Sequence, residues 1–185
     1  MTDNLQIRKS QITLMKADIT DIEIDAFVFY ARSDLQLGSG FGTAISVRGG
    51  PSVQQELKKL GSRNITDVVT TSAGDMKANY IIHAVGPKFQ EANLENKLKL
   101  TIQNALKEAD AKGITRLAFP AMGAGFYGIP LPESARITID TIYDYLAGET
   151  SIKEVVISLL DTREYKPYES HLSLRAQNLP KETTV

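Results

Sequence analysis

Short apolar runs divide the chain into candidate strands. Some of these runs are almost continuously apolar, which predicts strands covered on both faces: residues 25–31, 80–85, 116–120 and 155–160. Others alternate apolar and polar residues, or are rich in β-branched residues, and predict half-buried strands: residues 5–9, 11–16 and 65–71. The chain is therefore expected to build a substantial sheet.

Apolar residues at helical spacing lie between the later strands. The longest such pattern covers residues 93–112 and stops at Gly113, and further helices are predicted at 52–60, 131–146 and 164–177. Buried strands that alternate with helices indicate an α/β fold, a three-layer α/β/α sandwich with a mixed, largely parallel sheet. We expect one domain over residues 1–177 and a polar C-terminal tail over 178–185.

A glycine-rich loop lies between the strand at 116–120 and the helix at 131–146. Its sequence, AMGAGFYGIP over residues 121–130, has no lysine, arginine or acid. Such a loop lets backbone N–H groups and a helix N-terminus approach an anion. This pattern fits a phosphate-binding loop walled by Phe126 and Tyr127, and equally a tight turn at a sheet edge.

A second glycine-rich stretch covers residues 38–42, GSGFG, and follows the strand at 25–31. Ligands of parallel sheets bind outside the carboxyl ends of the strands, where both glycine-rich stretches and the segment around Asp18 are expected to lie. Two glycine loops at one end of a sheet would suit a ligand with adjacent phosphates.

The amino-acid composition argues against several kinds of partner and catalytic site. The chain has 185 residues and a net charge of -1, which does not favour bulk nucleic-acid or membrane-surface binding. It contains no cysteine and two histidines, so thiolate chemistry is excluded and a His-rich metal site is not expected. With no apolar stretch long enough to span a membrane, we expect a cytoplasmic protein without cofactor or metal.

Five segments, in order along the chain, resemble the macro domains that bind ADP-ribose. They are residues 17–20 (ADIT), 25–28 (DAFV), 37–41 (LGSGF), 82–87 (IHAVGP) and 119–128 (FPAMGAGFYG). The resemblance extends over about residues 12–172. It strengthens the interpretation of both glycine-rich stretches as phosphate loops.

The resemblance implies a set of ligand contacts. Asp18 matches the carboxylate that accepts from the adenine amino group, and the Ile19 N–H is the natural second contact. The diphosphate would lie between the two loops, held mainly by backbone donors of Gly38, Ser39, Gly40, Phe41, Gly123, Ala124, Gly125, Phe126 and Tyr127. On sequence pattern alone, Asp18 would be a turn or cap residue.

Three positions depart from the family pattern. The second Asn of the family's Asn-Ala-Ala-Asn, which orients the terminal ribose or a catalytic water, is Arg32 here. The Asp that follows the first glycine loop in one hydrolytic branch corresponds to Gly42. An arginine stays protonated and is a poor general base, so no catalytic residue is predicted. Arg32 could hold a phosphate or ribose hydroxyl, pair with a nearby acid, or be a surface residue.

The third departure is Leu160, which stands where the family has an aromatic that stacks on adenine. Tyr165 and Tyr168 follow and either compensate or pack the last helix. His83 lies in the middle of an apolar strand, where a satisfied core histidine is expected rather than a catalytic one.

The sequence leaves three functions open. The first is a binding module for ADP-ribose or a related nucleotide diphosphate. The second is a hydrolase of ADP-ribosyl-protein, O-acetyl-ADP-ribose or ADP-ribose 1″-phosphate, with backbone-held water replacing the lost side chains. The third is a degenerate fold that serves as a protein- or RNA-interaction unit. The replacements at Arg32 and Gly42 favour the first.

Overall fold

The protein is built around a mixed seven-stranded sheet in a computed structural model whose described residues are 2–38 and 40–179. Its strands are β1 (Asn4–Ile7), β2 (Ser10–Lys16), β3 (Ala26–Ala31), β4 (Val68–Ser72), β5 (Tyr80–Val85), β6 (Arg116–Phe119) and β7 (Glu154–Leu159). They are ordered β1-β2-β7-β6-β3-β5-β4. The two outer pairs are antiparallel and the four inner pairs are parallel. Ser39 and residues 180–185 of the predicted tail lie outside the described residues.

Helices cover both faces of the sheet, and each face has its own core. Helices α1 (Phe41–Gly49) and α2 (Pro51–Leu60) contribute to one core, and α3 (Leu94–Ala111), α4 (Leu131–Leu146) and α5 (Thr162–Gln177) contribute to the other. The predicted α/β/α fold is confirmed. Among the described helices, none has the length and apolar character needed to cross a membrane.

The central strand β3 shows why this arrangement follows from the sequence. All six of its residues are buried. Phe27 and Phe29 join the core beneath α1 and α2, whereas Val28 and Tyr30 join the core beneath α3, α4 and α5. Because successive side chains of a strand point to opposite faces, only a continuously apolar strand can serve two cores.

The pairing between β3 and β6 is unusually short. It covers only Ala26 with Leu117 and Phe27 with Ala118, although β3 continues to Ala31. On their outer sides both strands keep full pairing, β3 with β5 and β6 with β7. Beyond residue 119 the chain leaves β6 through Pro120, which has no N–H to donate. The two strands therefore separate towards their carboxyl ends and leave an opening in the middle of the sheet.

Most predicted boundaries shift by one to three residues, and two of these shifts have a clear local cause. The strand expected at 65–71 is Val68–Ser72, because residues 64–67 form a turn instead. The Asp67 carboxylate accepts from the Asn64 N–H at 2.9 Å, and Thr66 has a positive φ of 85°. Asn and Asp side chains stabilise such turns through local hydrogen bonds. Helix α5 begins at Thr162, two residues before its predicted start, because Asp161 caps it by accepting from the Glu164 N–H.

Candidate ligand-binding site

A cavity of about 960 Å³ opens at the carboxyl ends of the central strands. Every predicted ligand residue that the structure describes lines it: Asp18, Ile19, Arg32, Gly38, Gly40, Phe41, Gly123, Ala124, Gly125, Phe126, Tyr127 and Leu160. Ser39, the remaining predicted residue, falls outside the described part of the chain. Segments separated by more than a hundred positions thus meet around one volume, large enough for a nucleotide-sized ligand.

The strand order sets the direction of this cleft. Asp18 follows β2, Leu160 follows β7, the loop at 121–130 follows β6, and Arg32 follows β3. From β2 to β3 there are three interstrand steps, which correspond to about 14 Å at the usual strand spacing. Asp18 and Leu160 therefore mark one end of the cleft, and Arg32 marks the other.

The first glycine loop leads directly into α1. Gly40 is the residue before the helix, and none of the described side chains caps the first turn. The leading N–H groups of a helix have no acceptor within it, so those of α1 remain available to a ligand. At Gly42 a Cβ atom would lie 1.6 Å from the Leu37 carbonyl oxygen, so this backbone accepts only glycine there.

The second glycine loop contains a single 3₁₀ turn, Gly125–Tyr127, again without a side-chain cap. Gly123 has a φ of 74°, and a Cβ there would meet Ile129 Cδ1 at 2.2 Å. Phe126 is 84% exposed at the rim of the cleft. The Tyr127 ring packs against the Tyr30 ring, with the two centroids 4.5 Å apart. The loop thus presents both backbone donors and aromatic walls.

A buried hydroxyl network fixes the start of this second loop. The Tyr168 hydroxyl accepts from the Met122 N–H at 3.3 Å, and the Ser134 hydroxyl donates to the Met122 carbonyl at 2.6 Å. The two hydroxyls are 2.7 Å apart. Because serine has one proton and donates it to Met122, Tyr168 must donate to Ser134. The ring of hydrogen bonds satisfies both backbone groups of Met122.

Asp18 combines two roles. Its Oδ1 accepts from the N–H and the hydroxyl of Thr20, at 2.9 and 2.6 Å, so it caps the turn after β2. Its Oδ2 contacts the Arg48 guanidinium at 3.3 Å, and its side chain is 41% exposed. A carboxylate oxygen accepts several hydrogen bonds, so Oδ2 keeps capacity for a donor in the cleft.

Arg32 lies at the opposite end of the cleft and pairs with an acid. Its Nη2 donates to Asp34 Oδ2 at 2.7 Å. Tyr127, nearby in the second loop, donates to the Tyr30 carbonyl at 3.4 Å. Burial raises the pKa of Tyr127, while the charge of Arg32 lowers it and that of Asp34 raises it. Arg32 thus acts electrostatically on a residue of the second loop.

Neither of the two tyrosines that follow Leu160, Tyr165 and Tyr168, lines the cleft. Leu160 is 67% exposed and offers an apolar face there. Tyr168 is fully buried in the hydroxyl network, and Tyr165 packs against the core with the Lys16 ammonium 5.6 Å from its ring centre. Of the two alternatives for these tyrosines, packing is the one that the structure bears out.

Several lining residues were missed by the sequence analysis. Lys88 lies after β5, with its ammonium 5.7 Å from the centre of the Phe126 ring. Arg163 and Glu164 come from the first turn of α5, and Tyr30 comes from β3. The signal that could have found Lys88 is its place directly beyond Val85-Gly86-Pro87, where β5 ends.

Two other polar residues have structural roles, and for His83 that role was expected from the sequence. His83 is 1% exposed, lies 2.9 Å from the Thr71 hydroxyl through Nε2, and has its pKa lowered to about 3 by burial. Asp161 caps α5. Within residues 2–38 and 40–179, no group of three His, Cys, Asp or Glu side chains is arranged to hold a metal.

Comparison with known proteins places this fold and cleft in one family. The model of the Macro domain family matches residues 30–138. A macro domain-containing protein of Caldanaerobacter subterraneus subsp. tengcongensis is 42% identical over 166 residues, which cover 86% of this chain and 94% of that protein. The chain belongs to the macro-domain family. The resemblance stated from the sequence is confirmed.

A solved structure and a second relative also match this chain. A variant of the Oceanobacillus iheyensis macrodomain, solved with ADPR, superposes with a TM-score of 0.90 at 26% identity, covering 95% of this chain and 98% of that one. A Pantoea vagans protein named O-acetyl-ADP-ribose deacetylase 1 is 32% identical over 164 residues, covering 85% of this chain and 96% of the relative. The family match at 30–138 includes both glycine loops of this macro domain.

Proposed function

We propose that this macro domain binds ADP-ribose or a related ADP-ribosyl metabolite. One observation carries the proposal: two uncapped glycine-rich turns and the Asp18 carboxylate line a single cavity. Adenine would lie between Asp18 and Leu160, and the diphosphate between the two loops. The Oceanobacillus iheyensis structure, solved with ADPR, supports this choice of ligand.

Backbone donors explain how the site would hold a diphosphate. Neither glycine loop carries a cationic side chain, so N–H groups and the N-terminus of α1 would neutralise the phosphates. At the adenine end, Asp18 would select the base. Its carboxylate only accepts hydrogen bonds, which suits the amino group of adenine and disfavours the carbonyl that guanine has at the same edge.

Calorimetric titration of ADP-ribose tests the proposal. We expect Asp18→Ala to weaken ADP-ribose binding by about tenfold, as loss of one charge-assisted hydrogen bond implies. Asp21→Ala is the matched control, because Asp21 also contacts Arg48 but does not line the cavity. Absence of ADP-ribose binding by the wild-type protein, or equal binding by both variants, would contradict the proposed site.

Hydrolysis is the second candidate, and the Pantoea vagans relative favours it by its name. The local geometry favours binding alone. An Asp at position 42 would place a Cβ 1.6 Å from a backbone oxygen, and Arg32 cannot act as a base at neutral pH. We therefore expect no turnover of O-acetyl-ADP-ribose, ADP-ribose 1″-phosphate or ADP-ribosyl-protein. Product formation that Asp18→Ala abolishes would establish the enzyme instead.

The proposed function also has an expected location in the cell. We place the binding activity in the cytoplasm, as expected from the sequence analysis, and in a single domain that ends near residue 177. The net charge of -1 supports a nucleotide rather than a nucleic acid as the ligand. Fractionation of cells that express the tagged protein checks the location.

A further inference from the structure

Arg32 lies against the first glycine loop and lines the cleft together with the second. Its Nη1 is 3.4 Å from the point that a Cβ on Gly38 would occupy, so the guanidinium lies against the first loop. The same side chain lines the cavity together with Tyr127 of the second loop. A cation in this position faces the volume between the loops.

Asp34 orients the Arg32 guanidinium but pairs with only one of its nitrogen atoms. One carboxylate oxygen, Oδ1, accepts from the Gln36 N–H at 3.0 Å, and the other accepts from Arg32 Nη2 at 2.7 Å. The carboxylate is therefore fixed to the local backbone and holds one end of the guanidinium. A guanidinium has five N–H donors, and among the described residues it is Nη2 that is paired, so Nη1, on the side of the first loop, has donors to offer a ligand.

We propose that Arg32 is the residue by which this site recognises a second phosphate, and so distinguishes nucleoside diphosphates from monophosphates. The inference rests on the proposed function, in which a nucleoside diphosphate occupies the cleft. With the base at Asp18, the first phosphate lies nearer to β7 and β6, and the second lies nearer to β3, which Arg32 follows. Nη1 donates to that second phosphate while Nη2 stays on Asp34.

The competing explanation is an ordinary surface ion pair. The Arg32 side chain is 50% exposed, and exposed pairs contribute little to stability. A surface pair would act on ligands only through its charge, and Arg163→Ala, which removes an equal charge from the same cleft, measures the size of that effect. A residue that contacts the second phosphate would affect only ligands that have one.

The test measures ADP and AMP binding by calorimetry in the wild type, Arg32→Ala and Arg163→Ala. Arg163 is the matched control, since it is an exposed arginine that pairs with an acid and lines the same cavity at the other end. We expect Arg32→Ala to weaken ADP binding by about tenfold and AMP binding by less than about twofold. Arg163→Ala should leave the ratio of the two affinities unchanged. Arg32→Lys keeps the charge without the planar fork and should fall between wild type and alanine.

Each other outcome has a defined meaning. An ADP-to-AMP affinity ratio that Arg32→Ala leaves at the wild-type value overturns the assignment, and so does loss of both ligands by an Arg32→Ala protein that melts like the wild type. If Arg32→Ala does not fold, the ratio in Arg32→Lys decides in its place. A wild type that binds ADP but not ADP-ribose refutes the proposed ligand, while the ratio still decides the role of Arg32. A wild type that binds none of the three overturns both.

Discussion

Replacing Tyr168 with Phe tests how far the second glycine loop depends on the buried hydroxyl network. The substitution removes one oxygen atom and leaves the ring in place. Met122 then has an N–H without its acceptor, and the Ser134 hydroxyl loses the donor that faced it. Tyr168, Ser134 and Met122 are each essentially inaccessible to solvent, so water does not replace the lost partner.

The expected cost follows from that burial. A buried backbone donor left without a partner costs about 1–3 kcal/mol. For a chain of this size, each kcal/mol lowers the melting temperature by roughly 2–4 °C. We therefore expect Tyr168→Phe to melt about 4–8 °C below wild type, at a midpoint cost of about 2 kcal/mol. Because Met122 begins the second loop, ADP-ribose affinity should fall as well.

Thermal and urea unfolding give the stability, and calorimetry gives the affinity. Tyr165→Phe is the matched control, because Tyr165 lies on the same helix and its hydroxyl makes no hydrogen bond to other described residues. That variant should stay within about 0.5 kcal/mol of wild type. If Tyr168→Phe melts within about a degree of Tyr165→Phe, the hydroxyl network does not fix the loop and the reasoning is wrong.

Two further substitutions test a close backbone contact and a buried histidine. Gly42→Asp should lower the free energy of unfolding, measured in urea, by more than about 3 kcal/mol, because the new Cβ would overlap the Leu37 carbonyl. The variant should also show no hydrolase activity. A stable, active variant would refute this. His83→Gln tests the effect of pH. The folded-state pKa is about 3 against an ordinary 6.5, so the neutral His83 stabilises the wild type fully above pH 6.5. That stability is lost between about pH 6.5 and 3, at up to about 1.4 kcal/mol per pH unit. The glutamine variant should show a shallower acid loss in urea unfolding at pH 7, 5 and 4, and an equal slope would contradict the assignment.

Much of this fold could be predicted because its central strands are apolar on both faces. Strand β5 and helix α4 have the predicted bounds, 80–85 and 131–146, and each ends or begins at a glycine or proline. Such residues act locally, so their effect is visible in the sequence. The glycine loops were predictable for the same reason, and their position at one edge follows from parallel pairing.

What the sequence could not predict depends on contacts between distant segments. Lys88 reaches the cleft because β5 lies next to β3, and Arg163 reaches it because α5 begins beside β7. The sequence left two roles open for Tyr168, and the bond to Met122 that decides between them links residues 46 positions apart. The pairing of Arg32 with Asp34 is local, yet its direction towards Gly38 becomes evident only from the three-dimensional geometry.

The early end of pairing between β3 and β6 has a consequence for how this site can change. The opening is made by the main chain, so it exists before any ligand arrives and does not depend on which side chains surround it. Binding therefore needs little rearrangement of the backbone, and affinity is set by the groups that line the opening. Substitutions in the loops can alter what the opening holds while the sheet that creates it stays intact. A scaffold of this kind can exchange one ligand for another without refolding, which makes Arg32 and Leu160 two positions at which its specificity can be redesigned.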